Sequence, residues 1–285
     1  MSAQEPVKPE ITSPFVHLQV RIPKLNEFTP ESTSSLFANL THFSSPGFFQ
    51  KLKGTSNLIV SLEIVLLNNQ IFFYVTCPKE KIDFISSQIL AQFPTAIVKA
   101  GDDPLANIDK STLSYQQLTT GKSYYYPLKT SQEFRDTDPL NSVLAPISRS
   151  NNSNDFFLYQ ILVSPAGKNW QTGILSTIQN GILVDKEKNF RQAHPDKRVF
   201  EQKIMFPGVN AQINLASTNP GLLSSAISSF GIYTSPQGNF IKSSTPGIFQ
   251  KSKLPTSVFN RIPKSSLKNQ ILLIPQTQRH LYQND

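Results

Sequence analysis

One cysteine among 285 residues, Cys77, excludes a disulfide framework within the chain and fits a reducing compartment. The four histidines, His17, His42, His194 and His280, stand far apart, and Cys77 has no Cys or His at ligand spacing, so the sequence predicts no metal and no cofactor. No run is long and apolar enough to span a membrane: residues 58–67, the most apolar stretch, include Glu63. Residues 1–14 are polar and contain proline, without the apolar centre of a signal peptide. Acidic side chains are almost absent late in the chain, where the first after Glu201 is Asp285. Eight of the 27 basic residues lie in that interval, which therefore holds nearly all of the net charge of +8. Such a block favours phosphate backbones or anionic lipid without sequence preference.

Phosphate cradles are missing too. Thr120-Gly121-Lys122-Ser123 has the ending of a P-loop, yet Gln116 stands where the first glycine must let bare amides wrap a phosphate. Ala166-Gly167-Lys168-Asn169 fails in the same way and lacks the hydroxyl that would hold Mg²⁺. The chain is expected to hydrolyse no ATP.

What is present is regular. Val16, Leu18, Val20 and Ile22 alternate with His17, Gln19 and Arg21, the period of a half-buried strand. Thr29-Pro30-Glu31 reads as an N-cap with proline at the first helical position, and Leu36, Phe37, Leu40 and Phe43 fall on one helical face. Residues 58–67 and 71–76 are β-rich and joined by Asn68-Asn69, which tolerate left-handed turn geometry. Cys77-Pro78-Lys79-Glu80 opens a helix carrying Ile82, Ile85, Ile89 and Phe93; Pro94 ends it, and residues 96–99 form a last strand. The order over residues 15–100 is βαββαβ, which predicts a ferredoxin-like sandwich.

After Gly101-Asp102-Asp103-Pro104 and a polar linker over 101–110, a second series begins. Residues 113–126 read as a strand pair or a long strand ending in three tyrosines. Asp138-Pro139 starts a helix with Leu140, Val143, Leu144 and Ile147 inward, and residues 156–164 form an apolar strand. Trp170, Ile174, Ile178 and Ile182 recur every fourth residue as a helix face. Residues 204–216 are strand-like with Gly208 a bulge or turn, and Asn219-Pro220 begins a helix that Gly231 stops. Residues 111–234 are expected to be a second α+β unit, a distant duplication of the first. From Ser235 the Pro, Ser, Gly and Lys content predicts a basic extension over 235–285, with one further strand at 269–274.

Candidate chemistry is thin. Cys77 precedes a helix, yet a free cysteine there is normally a buried small hydrophobe. Asp102-Asp103 and Asp136/Asp138 read as turn and cap residues rather than an acid/base couple. Phe72, Phe73 and Tyr74 on a central strand, with Tyr124, Tyr125 and Tyr126, leave base stacking on an open sheet face as an alternative. An unrecognised hydrolase would need Cys77 or a serine brought beside a histidine.

Several blocks resemble a known family. Ser61-Leu62-Glu63-Ile64-Val65, then Phe72 through Pro78, then Phe84 through Pro94 are similar to the N-terminal, non-motor region of bacterial conjugation and type IV secretion ATPases with FtsK/HerA-like motors. Glu63, Cys77-Pro78, Gln88, Ala91-Gln92 and Pro94 carry the likeness. Val20 through Lys24, Tyr125 through Lys129, Asp138-Pro139-Leu140, residues 157–163 and Trp170 resemble further blocks in the same order. These are packing and turn positions, not catalytic motifs. The resemblance implies a front half detached from its motor, a stand-alone paralogue or a truncation.

The expectation is an α+β protein of two ferredoxin-like units and a basic Pro/Ser-rich extension. It would have no catalytic residues and would dock a partner protein of a secretion or conjugation machine, such as a separate motor ATPase. It is expected to be cytoplasmic, or peripheral at the inner membrane through that partner. DNA or anionic lipid would meet Lys242, Lys251, Lys253, Arg261, Lys264, Lys268 and Arg279.

Overall fold

A computed structural model describes residues 14–23, 38–40, 59–134, 138–150, 152–166, 169–205, 208–244, 253–263 and 271–273. The fold is α+β, built on one nine-stranded antiparallel sheet.

The first half supplies β1 (Phe15–Arg21), β2 (Val60–Leu67), β3 (Gln70–Pro78), α1 (Ile82–Gln92) and β4 (Ile97–Gly101). Its strands lie in the order β4-β1-β3-β2. The β2–β3 hairpin closes at Asn68 and Asn69, at φ 50° and 59°, both in the left-handed region that asparagine tolerates. Most of the expected first helix lies outside the described residues; residues 38–40 are helical and Leu40 is buried.

The second half supplies β5 (Ser114–Thr120), α2 (Pro139–Ser148), β6 (Phe157–Pro165), α3 (Asn169–Asn180), β7 (Ile182–Asp185), β8 (Phe190–Gln192), α4 (Lys197–Ile204), β9 (Val209–Ser217), α5 (Pro220–Ser229) and β10 (Ile241–Ser243). Its sheet strands lie in the order β10-β5-β9-β6. Counted within each half, both orders are 4-1-3-2, and the second strand of each half, β2 and β6, pair antiparallel to fuse the two into one sheet. Two units in tandem are thus merged edge to edge.

Helix caps follow the sequence. Asp138 accepts the amide of Leu140 at 2.9 Å, and Asn219 accepts those of Gly221 and Leu222. Val16, Leu18, Val20 and Cys77 pack with Ile85 and Ile89 of α1. Leu118, Phe157, Tyr159, Ile213 and Leu215 pack with Val143, Ile147, Leu223 and Ala226 of α2 and α5. Val60 belongs to the first cluster and Ile64 and Leu66 to the second, so one face of β2 serves both. The described helices α1, α2 and α5 therefore share one side of the sheet.

The other side is roofed by chain expected to be linker. Leu105 and Leu113, between β4 and β5, join Leu254, Val258 and Phe259 of α6 (Leu254–Phe259) over Val65, Leu158 and Ala216. β11 (Ile271–Leu273) pairs with Val209–Ala211 of β9. The stretch after Ser235 thus contributes β10, α6 and β11 to the body.

Two details differ from the sequence reading. Ile182 is not on a helix: Gly181, at φ +59°, ends α3, and Ile182 enters β7. The three tyrosines do not extend β5, which ends at Thr120; they follow a turn in which Lys122 donates its amide to Asn239. That turn is the P-loop-like segment, and a Cβ on Gly121 would strike the Phe240 ring. No described helix is long and apolar enough to cross a membrane.

Candidate functional site

Register lines up one position per strand across the outer face. Lys99, Gln19, Tyr74, Glu63, Gln160, Asn214 and Gln117 are successive partners on β4, β1, β3, β2, β6, β9 and β5. Every one has a polar group. From Glu63 to Gln117 the row is buried beneath the roof, where a polar side chain costs stability unless it is paired.

The pairing comes from the end of α6. Arg261 donates from Nε to Glu63 Oε1 at 2.8 Å and from Nη2 to Glu63 Oε2 at 3.1 Å. It also donates to Asp103, at 2.7 and 3.0 Å, and to the carbonyl of Phe259. Ser61 donates to Glu63, and Gln160 donates to Glu63 and to the carbonyl of Val258. Asn214 donates to Gln160, and Gln212 to Asn214 and Ser257. Burial opposes a charge on Asp103, yet Arg261 and the Leu105 amide hold its carboxyl below the usual range. Burial also opposes charge on Arg261, and Glu63 and Asp103 more than offset it.

His17 stands at the margin, with Nδ1 2.9 Å from the Thr76 hydroxyl. Burial and the Arg261 charge lower its pKa, against the opposing pull of Asp103, 3.8 Å from Nε2. Cys77 is not its partner: it follows Thr76 on β3 and points into the helix-side core, where burial pushes its thiol up to about 11. The described residues hold no group of three or more metal-ligating side chains.

Arg261, expected to meet a polyanion, is therefore corrected: it is 3% exposed and all its contacts are internal. Sequence reasoning saw a basic tail because Glu63 and Asp103 are 198 and 158 positions away. Lys242 and Lys253 are exposed. Lys251, Lys264, Lys268 and Arg279 lie outside the described residues, as do His42, His280 and Asp136. Asp103 does accept the Leu105 amide as a turn residue should, but its ion pair with Arg261 was not legible.

A second feature sits between β6 and β9. The first half closes the corresponding hairpin with Asn68-Asn69; here α3, β7, β8 and α4 are inserted. The insertion has its own core of Trp170, Ile174 and Phe200, packed on Tyr124, Tyr125 and Tyr126. Phe200 meets Tyr125 and Tyr126 edge-on at 5.7 and 5.0 Å, and Tyr126 donates to Asp196 at 2.8 Å. Buried Lys203 donates to the carbonyls of Tyr124 and Tyr126, with desolvation lowering its pKa to about 7. These bonds bolt the insertion to the body.

What it presents is the β7–β8 hairpin, exposed nearly throughout. Ile182, Leu183, Val184 and Phe190 are 39%, 42%, 56% and 56% exposed. Its turn is shaped by Asp185, which accepts the amides of Glu187 and Lys188, and by Asn189 at φ 49°. Its base is fixed by Gly181, where a Cβ would lie 2.0 Å from the Gln192 carbonyl oxygen, and by Arg191, which donates to the carbonyl of Asn180. The sequence signal for it, Ile182-Leu183-Val184 followed by a charged turn, was masked by the fourfold isoleucine spacing that runs into Ile182.

Residues 1–203 match the family described as Domain of unknown function, DUF8128. The chain belongs to this family. The matched residues take in the first half, the hairpin and most of α4. No curated protein matches the chain.

Proposed function

We propose that this family member is a non-catalytic docking module of a conjugation or type IV secretion machine, and that it grips a partner protein with the β7–β8 hairpin. The hairpin carries the reading. A two-stranded ribbon is marginal on its own, and this one leaves four large apolar side chains in water while a dedicated core and a buried lysine hold it in place. Docking covers those side chains and leaves both ribbon edges free to pair with a strand of the partner. The absence of chemistry in the proposal is supported by where the reactive groups sit. Cys77 is in the core, and Glu63 and Asp103 are tied to Arg261. The conjugation setting rests on the resemblance of Glu63, Cys77-Pro78, Ala91-Gln92 and Pro94 to the ATPase N-terminal region, which points to a separate P-loop motor as the partner.

The test is capture of a separately expressed P-loop motor ATPase of the conjugation type, by wild type and by a Val184→Asp/Phe190→Asp variant. Capture lost in the variant, with unchanged melting, is the expected result. Equal capture would remove the hairpin from the interface, and no capture by wild type would remove the motor as partner.

A further inference from the structure

The roof over the outer face stops short. Leu105, Leu113 and α6 lie over β2, β6 and β9, while side chains of β1, β3 and β4 reach the open surface. Lys99, Gln19 and Tyr74 stand in one register row there. Arg21 faces Ile97 in the next row, toward the same end as Phe72 on β3. Arg21 and Lys99 are exposed, Gln19, Phe72 and Tyr74 half-buried, and Ile97 is 52% exposed. The Phe72 and Tyr74 rings are 6.5 Å apart and tilted, and Tyr74 stands at the margin of the roof, packed against its cluster. Phe73, between them, faces the helix side with Val20 and Ile64 as its register partners.

We infer that this patch binds single-stranded nucleic acid, with bases stacked on Phe72 and Tyr74 and phosphates met by Arg21 and Lys99. Aromatic rings on a central strand of an open antiparallel sheet, flanked by long cations and an amide, are the chemistry that holds unpaired bases. A protein-docking centre would be apolar and poor in lysine. The formal charge around the patch is even: Glu63 and Asp103 share the single positive charge of Arg261, and exposed Asp102 adds one negative charge, against the two cations. Phosphates are met locally by exposed Arg21 and Lys99, while the carboxylates Glu63 and Asp103 stay engaged with Arg261. Gln19 accepts from Arg21 at 3.2 Å, which keeps the guanidinium over the strand and leaves the Gln19 amide N–H groups for a base edge. The site is independent of the hairpin and of the basic tail.

The experiment is fluorescence anisotropy of the full chain with labelled oligothymidylate, oligouridylate and a blunt DNA duplex across a salt series. Both single strands are expected to bind more tightly than the duplex. Arg21→Gln/Lys99→Gln, two exposed changes, should weaken binding about tenfold and make the log–log salt slope shallower by about 1.4. Phe72→Leu/Tyr74→Leu should weaken it about tenfold with the slope kept, since stacking is lost and phosphate contacts are not. A Lys242→Gln/Lys253→Gln control should bind as wild type. Equal affinity for the duplex overturns the proposal, as does binding that only the control pair weakens. No binding to either single strand at about 50 mM salt overturns it as well.

Discussion

Arg261 Nε lies 2.8 Å from Oε1 of Glu63, closing a contact between residues 198 positions apart. The arginine sits at φ 54°, a left-handed backbone that costs a non-glycine residue roughly 1–2 kcal/mol, and the guanidinium fork on two carboxylates offsets that strain. Arg261→Met leaves Glu63, 2% exposed, as an unpaired buried charge and should destabilise the fold by about 3–5 kcal/mol. Arg261→Lys should recover little, because an ammonium cannot fork onto both partners. Adding Glu63→Gln to Arg261→Met should restore part of the loss. Urea melts of these three variants and of Glu63→Gln alone decide it; strict additivity would mean the two side chains are not coupled.

Cys77 should be inert while the protein is folded. It is fully buried among Val16, Ile85 and Ile89, and its thiol is pushed up to about 11. Reaction with a disulfide reagent near pH 8 should therefore follow opening of the fold, at well under a tenth of the rate in denaturant. Rapid labelling of the native chain would place Cys77 at the surface.

The regular parts of this fold were legible because their signals are local. Alternation at Val16–Leu18–Val20, the Asn68-Asn69 turn and the Asp138 and Asn219 caps each fix their element within a few residues. The sheet that joins the halves was not, because a β2–β6 pairing leaves no mark on either strand beyond apolar content. The polar row escaped for the same reason: Glu63, Gln160 and Asn214 look like solvent-facing positions until α6 is laid over them. Composition misled most after Ser235. Leu254, Val258 and Phe259 are too few to show periodicity, yet they seal the outer face, and the charge that suggested a tail includes the arginine that anchors it.

Trp170, the chain's one tryptophan, reports on the insertion alone. A Cβ on Gly208 would lie 2.9 Å from its Cε2, and Trp170 is 7% exposed with nowhere to retreat except outward. Gly208→Ala should cost about 1–3 kcal/mol and shift the emission to the red, with the far-ultraviolet signature of the main sheet retained. An unshifted spectrum would mean that the indole ring can slide without opening the core of Phe200 and Ile174.

Lys203 gives the fold a pH dependence with a definite sign. Desolvation lowers its folded pKa to about 7, whereas in the unfolded chain it takes the ordinary value near 10.4. Between those values the unfolded state holds the extra proton, so raising the pH stabilises the fold, by up to about 1.4 kcal/mol per unit. Below about pH 7 both states are charged and the slope from this residue vanishes; above about 10.4 both are neutral and it vanishes again. Lys203→Met removes the titration and keeps an unbranched stem in the buried position, at the loss of two bonds to the Tyr124 and Tyr126 carbonyls. Stability of wild type and variant should therefore converge toward neutral pH and separate in favour of wild type as the pH climbs to 9. Parallel pH profiles would show that Lys203 keeps its proton in the fold, held by the two carbonyls more strongly than desolvation disfavours it.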